Sequence, residues 1–293
     1  MVSWTVSVVR RGTAASYSAL GGGIVQFLSR TYGWEPFFGR VRTAPLRALM
    51  LDYDGTLAPF TPDRDRAFPY AGVREILMEI LALRNTRVVV ISGRAIKDVT
   101  RLIALSPQPE IWGSHGWEHL TAEGAYELWP LEQSAQDGLR EGGLRLDELG
   151  LAARREDKPV SVAVHWRGLS SAEADAIRSK AMAVWSPLVA SSCLEVHPFD
   201  GGLELRVRGR HKGFAVDAVL ASENREIVAA YLGDDLTDED AFKALAGRGL
   251  RVLVRTEFRE TLADLWLEPP NELLAFLAAW RDVCRSVAPL RRP

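Results

Sequence analysis

The sequence predicts an α/β protein: a Rossmann-like doubly wound parallel sheet interrupted by an inserted α+β domain. Three observations predict it. Short apolar runs alternate with amphipathic segments from Leu46 to Trp112 and again from Lys212 onward, the rhythm of parallel strands joined by helical crossovers. Between these stretches the order becomes helix, strand, helix, two strands. Arg87–Ile91 reads Arg-Val-Val-Val-Ile, as expected of a strand covered by helices on both faces.

Leu46–Leu51 is the first core strand. A helix over Val73–Leu83 follows, with Ile76, Leu77, Ile80 and Leu81 on one face. After the strand Arg87–Ile91 come a helix at Ile96–Leu105, a short strand at Glu110–Trp112 and a hairpin at Trp117–Leu128, turning at Glu123-Gly124. In the insert, Leu131–Arg155 is helical and charged, and Val160–Trp166 is an alternating strand. Ser171–Trp185 is a helix with Ser170 or Ser171 as its cap. Cys193–His197 and Leu203–Val207 pair around Asp200-Gly201-Gly202. The core resumes with helix Lys212–Ser222, strand Ile227–Leu232, helix Asp238–Ala246 and strand Leu250–Val254. Helix Asn271–Cys284 is announced by Pro269-Pro270. The expected divisions are an N-terminal extension (1–44), a first core part (45–130), the α+β insert (131–207) and a second core part (208–293).

The first 44 residues carry Arg10, Arg11, Arg30, Arg40 and Arg42 against one acid, Glu35. The uncharged stretch from Gly12 to Ser29 is diluted by Gly21-Gly22-Gly23, Ser16 and Ser18, too polar for a spanning helix and without a signal-peptide pattern. An amphipathic or flexible extension is expected, with no stable membrane insertion. A net charge of −2 makes no electrostatic case for nucleic acid. Cys193 and Cys284 are the two cysteines, with no CxxC pair, which fits a reducing, cytoplasmic setting without disulfides or zinc.

Chemistry concentrates in four segments. Asp52-Tyr53-Asp54-Gly55-Thr56 ends the first strand, Ser92-Gly93-Arg94 follows the second, Lys212 opens a helix, and Gly233-Asp234-Asp235-Leu236-Thr237-Asp238-Glu239-Asp240 follows Leu232. In a parallel sheet such loops converge at the carboxyl edge. Several carboxylates, a hydroxyl and an ammonium suit Mg²⁺-assisted phosphoryl transfer: hard oxygens hold the ion, cations cover phosphoryl oxygens, and an aspartate can be the nucleophile.

In this order and spacing the segments resemble the four motifs of haloacid-dehalogenase-type phosphatases. Gly-Asp-Asp-Leu-Thr-Asp-Glu-Asp and Gly113-Ser114-His115-Gly116 resemble the trehalose-6-phosphate phosphatases in particular, and the insert resembles their type IIB cap. The resemblance runs from about Leu46 to about Trp280. It implies Asp52 as nucleophile, Asp54 as general acid and then base, and Ser92 and Lys212 on the phosphoryl oxygens. It places Mg²⁺ on Asp52, Asp54 through its backbone carbonyl, and Asp234. Asp235 would lie beside that site, Asp238 would anchor the loop, and backbone N–H groups near Gly55 would help bind phosphate. On the substrate side it implies Glu156, Lys158 and Glu204 as sugar contacts, with Arg94, His115, His165 and Arg167 nearby. Two departures are Val207, where the family often has proline, and Trp166, where it often has tyrosine.

Plainer roles stand beside these. Glu239 and Asp240 suit a first helical turn for dipole reasons alone. Arg94 either touches substrate or pairs beside it, His115 and His165 either bind sugar or pack, Trp166 is core or a subunit contact, and the basic run Arg251–Arg259 is a solvated surface. The expected substrate is trehalose 6-phosphate. The alternatives are a related glycosyl phosphate, such as glucosylglycerol phosphate or mannosyl-phosphoglycerate, and a non-catalytic sugar-phosphate sensor. A free-standing enzyme, partnered with a separate trehalose-phosphate synthase, completes the expectation.

Overall fold

The computed structural model describes residues 16–20, 23–28, 33–61, 63–191, 193–199, 201–222 and 226–287. The chain begins with a hairpin, β1 (Ser16–Leu20) and β2 (Gly23–Phe27), and a helix, α1 (Trp34–Thr43). The first core stretch is β3 (Leu46–Leu51), α2 (Val73–Leu83), β4 (Arg87–Ile91), α3 (Ile96–Ile103) and β5 (Glu110–Gly113), closed by β6 (Glu118–Leu120) and β7 (Tyr126–Leu128). The cap comprises α4 (Gln133–Glu148), β8 (Arg155–Lys158), β9 (Ser161–His165), α5 (Ser171–Ser191), β10 (Leu194–Phe199) and β11 (Gly202–Val207). The core is completed by α6 (Lys212–Ala221), β12 (Ile227–Gly233), α7 (Glu239–Leu245), β13 (Gly249–Val254), β14 (Leu265–Leu267) and α8 (Asn271–Arg285).

The core sheet runs β1-β2-β14-β13-β12-β3-β4-β5-β6-β7. From β14 to β5 all neighbours are parallel, and β2 and β6 join antiparallel at the two sides. Alternation along each strand fills two cores. Leu49, Leu51, Val88 and Val90 pack with α2, α3 and α8, while Ala48, Met50, Val89 and Ile91 pack with α6 and α7. Both sets are shut off from water, which is why β3 and β4 read as continuous apolar runs. The doubly wound core is as the sequence predicts.

The residues read as an extension are partly core. β2 pairs with β14, and α1 lays Phe37, Phe38 and Val41 against Phe276 and Trp280 of α8. Arg47 of β3, 2 % exposed, fixes the carboxyl end of α1: its guanidinium donates to the carbonyls of Val41 (2.6 Å), Arg42 (3.0 Å) and Asn85 (3.3 Å). Removing that fork strands buried acceptors. Arg47→Met is expected to cost about 2–4 kcal/mol, since each orphaned acceptor is worth about 1–3 kcal/mol. Urea denaturation checks it, and an unchanged midpoint would show that α1 is not docked this way. Residues 1–15 and the Gly21-Gly22 pair lie outside the described residues.

The cap is a four-stranded antiparallel sheet, β10-β11-β9-β8, with α4 and α5 on one face around the fully buried Trp185. Trp166 belongs to this cluster. Close packing needs Gly142 in α4, where a Cβ would stand 2.5 Å from Leu205. The helix read as Leu131–Arg155 stops at Glu148. Gly150 takes φ +73° just beyond it, a left-handed position that ends helices at low cost, and the chain turns into β8. On the other side α5 continues past Pro187, carried by the burial of Trp185 and Leu188 one turn apart.

Candidate active site

β3, β4 and β12 end at one edge, and their loops meet there. Asp52 follows β3 and Asp234 follows β12, with Asp52 N–H donating to Leu232 O at 2.8 Å. Lys212, first residue of α6, lies between two acids: its Nζ is 2.7 Å from Asp52 Oδ1 and 2.7 Å from Asp238 Oδ1. Burial acts to lower the ammonium pKa, but Asp238 and Asp52 more than offset it and raise it. Burial pushes Asp52 up to about 7 against the pull of Lys212. Burial, with Asp52 and Asp238 nearby, raises Asp234 well above the usual carboxylate range.

Asp238 ties its loop together. Besides Lys212 it accepts from Tyr231 OH (2.5 Å), Asp234 N–H (3.0 Å) and Asp235 N–H (2.9 Å). Asp235 caps the short turn that follows, accepting from Leu236 N–H at 2.7 Å. Asp52, Asp234 and Asp238 offer carboxylate oxygens within 4.8 Å of one another. Asp238 is spent on the contacts above, whereas both oxygens of Asp234 are buried without a hydrogen bond among the described residues. Such an arrangement of hard oxygens fits a divalent cation. Gly55, at φ +81°, closes this corner: a Cβ there would fall 2.2 Å from Asp234 Oδ2.

Ser92 is buried and lines the same cleft as Asp52, and its Oγ accepts from Arg94 N–H at 3.1 Å. Arg94, left open between touching substrate and pairing beside it, is paired with Asp54. Its Nε and Nη2 each donate to Asp54 at 2.6 Å, the fork-to-fork geometry of a strong carboxylate pair. The basic run needs correction. Arg251 is paired with Asp264, and Arg259 donates to the carbonyls of Asp234 (3.1 Å) and Asp235 (2.7 Å) while holding Glu239. Arg259 thus braces the acidic loop. Glu239 is structural, as predicted, accepting also from Thr261 Oγ1 (2.7 Å) and Leu262 N–H (2.9 Å).

The cap contributes the opposite wall. Glu204, 2 % exposed, receives Lys158 Nζ (2.8 Å) and Ser161 Oγ (2.8 Å) on one oxygen and approaches His115 Nε2 (3.0 Å) with the other. Burial opposes ionisation of Glu204, yet Lys158 and His115 hold its pKa well below the usual range. Glu156 is bound by Arg64, His165 Nε2 (2.7 Å) and Lys158 (3.8 Å). Burial works against its charge, and Lys158, His165 and Arg64 still bring its pKa down to about 2. Arg167 stacks on Phe60 of the core, 4.1 Å from the ring centre. His115 reaches Glu204 from the core through a left-handed backbone, φ +56°, and its buried Nδ1 has no hydrogen bond among the described residues.

One cleft between core and cap collects every candidate site residue named from sequence except Gly55 and Asp238. It also contains Gly93 and Thr237, which lie within two of the four segments, and Phe60, Arg64 and Phe199, which sequence reasoning missed. The two aromatics sit in loop and edge-strand positions with no motif to mark them, and Arg64 lies in a polar, charge-rich loop.

A doubly wound core with acids at the ends of β3 and β12 and a cap inserted after β7 is the architecture expected of the haloacid-dehalogenase-type phosphatases that the motifs resemble. Comparison with known proteins is narrower. The trehalose-phosphatase family profile matches residues 50–140 and 146–262, and the chain belongs to that family. It is 31 % identical over 250 residues to the trehalose-phosphate phosphatase of Mycobacterium ulcerans, covering 80 % of this chain and 61 % of that protein. It is 28 % identical to the probable trehalose-phosphate phosphatase C of Arabidopsis thaliana, covering 78 % of this chain and 75 % of that protein. The chain thus spans about 61 % of the length of the first mycobacterial relative. The C-terminal domain of C. albicans trehalose-6-phosphate phosphatase shares the fold, with a TM-score of 0.74 at 22 % identity, covering 87 % of this chain and 99 % of that one.

Proposed function

We propose that this protein is a Mg²⁺-dependent phosphatase that converts trehalose 6-phosphate to trehalose and phosphate. The observation that carries the reading is the juxtaposition across one cleft of two unlike walls. The core wall holds Asp52, Lys212 and Asp234, a nucleophile, a cation and a metal-suited acid. The cap wall holds Glu156, Lys158 and Glu204, donors and acceptors suited to sugar hydroxyls.

Lys212 orients one oxygen of Asp52, and Thr56 reaches the other only at 3.4 Å. In the first step Asp52 attacks phosphorus and the bond to the sugar oxygen breaks. Asp54 gives that oxygen a proton, and Arg94 holds the carboxylate that results. In the second, Asp54 as carboxylate takes a proton from water, the water oxygen attacks the phospho-aspartate, and phosphate leaves with Asp52 restored. Lys212, Ser92 and N–H groups near Gly55 cover the phosphoryl oxygens. Asp52, Asp234 and the Asp54 carbonyl would hold Mg²⁺, which supplies charge neutralisation and favours ionised Asp52. The closed cap excludes bulk water from the intermediate.

Phosphate release measured across disaccharide, glycerol-glycoside and hexose phosphates tests the substrate. Trehalose 6-phosphate is expected to lead, and equal turnover of glucose 6-phosphate would sink the disaccharide assignment. Glu204→Gln is expected to lower kcat/KM for the sugar phosphate by about tenfold to a hundredfold, the loss of one or two charge-assisted hydrogen bonds. Hydrolysis of p-nitrophenyl phosphate should fall much less. Equal losses on both substrates would remove Glu204 from sugar recognition.

A trehalose-phosphate synthase acting separately would supply the substrate, and co-purification with such an enzyme tests that link. Among the described residues no helix is long and apolar enough to cross a membrane, and both cysteines are free.

A further inference from the structure

Arg64 belongs to none of the motifs, yet it touches both halves of the cleft. It opens a three-residue turn between β3 and α2. Its backbone carbonyl accepts from Arg94 Nη1 at 2.8 Å, and the other two arms of Arg94 hold Asp54 at 2.6 Å each. Its side chain crosses to the cap, where Nη1 pairs with Glu156, while Nη2 reaches back to Asp98 at 3.4 Å. The turn is fixed to the core on both flanks: Tyr53 OH donates to Ala67 O at 2.7 Å, and Arg101 pairs with Asp65 at 2.8 Å. Residue 64 is therefore not a free surface arginine. Its main chain backs the acid–base aspartate and its guanidinium grips a cap carboxylate.

We propose that Arg64 is a positioning residue that ties Glu156 of the cap to the Asp54–Arg94 pair of the core, making hydrolysis of a sugar phosphate depend on both at once. The proposal rests on the reading of Glu156 as a sugar contact and deepens it. With the cap closed on its sugar, Glu156 draws Arg64 toward the cleft, and the carbonyl of residue 64 sets where Arg94 holds Asp54. A phosphate ester whose leaving group is small and acidic makes no use of Glu156 and asks little of a general acid. Arg64 therefore discriminates between leaving groups without contacting phosphorus.

The test uses the sugar phosphate that the wild-type protein turns over best, together with p-nitrophenyl phosphate. A failure of the trehalose assignment then shows in the wild-type panel, apart from the fate of this proposal. The Arg64 side chain is 36 % exposed, so Arg64→Ala is expected to fold, and its melting temperature is measured alongside. The ratio of kcat/KM for the sugar phosphate to that for the aryl phosphate should drop about tenfold to a hundredfold, as for a lost charge-assisted pair. The loss should appear in kcat as well as KM. In a double-mutant cycle Arg64→Ala and Glu156→Gln should be strongly non-additive, and Arg64→Lys should restore part of the ratio. An unchanged ratio, fully additive losses, or a loss confined to KM would overturn the proposal.

Discussion

Asp52→Asn is expected to lower phosphate release from trehalose 6-phosphate by about four orders of magnitude or more, the scale on which a lost nucleophile counts, and to make the metal-free protein more stable. The two effects share a cause. Asp52 is 3 % exposed and sits within 4.8 Å of two further buried acids, so folding raises its pKa from 3.8 to about 7, by burial first and despite Lys212. For an acid shifted upward, folding favours the protonated form. Below pH 3.8 there is no penalty. It grows as the pH rises and is complete above about 7. Asparagine cannot ionise, so the variant escapes the penalty while Lys212 keeps Asp238 at 2.7 Å. At pH 8, without Mg²⁺, the variant should therefore melt at a higher temperature than the wild type. Melting curves at pH 5 and pH 8 check it: the gap between variant and wild type should be smaller at pH 5. A variant that is inactive and no more stable at pH 8 would mean that Asp52 is not the strained charge of the cluster.

That strain explains how much of the site was legible in the sequence. Buried parallel strands are short apolar runs, so an acid directly after Leu51 or Leu232 is conspicuous, and loops at the same edge converge by topology. What escaped were features that depend on partners far along the chain. β14 is a three-residue strand between β13 and β2, with no periodicity to display. α1 reads as a basic extension because its docking depends on Arg47 and Trp280. Arg251, Arg255 and Arg259 read as a solvated stripe, but Arg255 and Arg259 reach the Asp234 carbonyl at 3.4 and 3.1 Å. Arginine spacing carries no information about a carbonyl on another loop. The pairing of Arg94 with Asp54 was open for the same reason: Ser92-Gly93-Arg94 gives a position, and only the fold gives the direction of the guanidinium.

Lys212→Met is expected to cost both activity and stability, unlike Asp52→Asn. The ammonium is the cation that separates Asp52 from Asp238, at 2.7 Å from each with its side chain 4 % exposed. Deleting it leaves Asp52, Asp234 and Asp238 facing one another in a buried site, and breaking one partner of a buried pair typically costs about 3–5 kcal/mol. The pKa of Lys212 is raised above 10.5, so its stabilisation is fully present below pH 10.5 and is lost only as the pH rises through the folded value. At pH 7 the variant therefore forfeits all of it. Part should return at pH 5, where Asp52 and Asp234, both raised by burial, take up protons. Phosphate release should fall by about a thousandfold, the scale of losing one preorganised charge in a dry site. The decisive comparison is Lys212→Met with Asp52→Asn in one chain. Removing both members of the pair deletes opposite charges together, so stability should recover toward wild type while activity stays absent. If the double variant is as unstable as Lys212→Met alone, Lys212 holds the site through Asp238 and not through the nucleophile. If stability recovers, the lysine that orients Asp52 for attack is also the group that makes a carboxylate tolerable there.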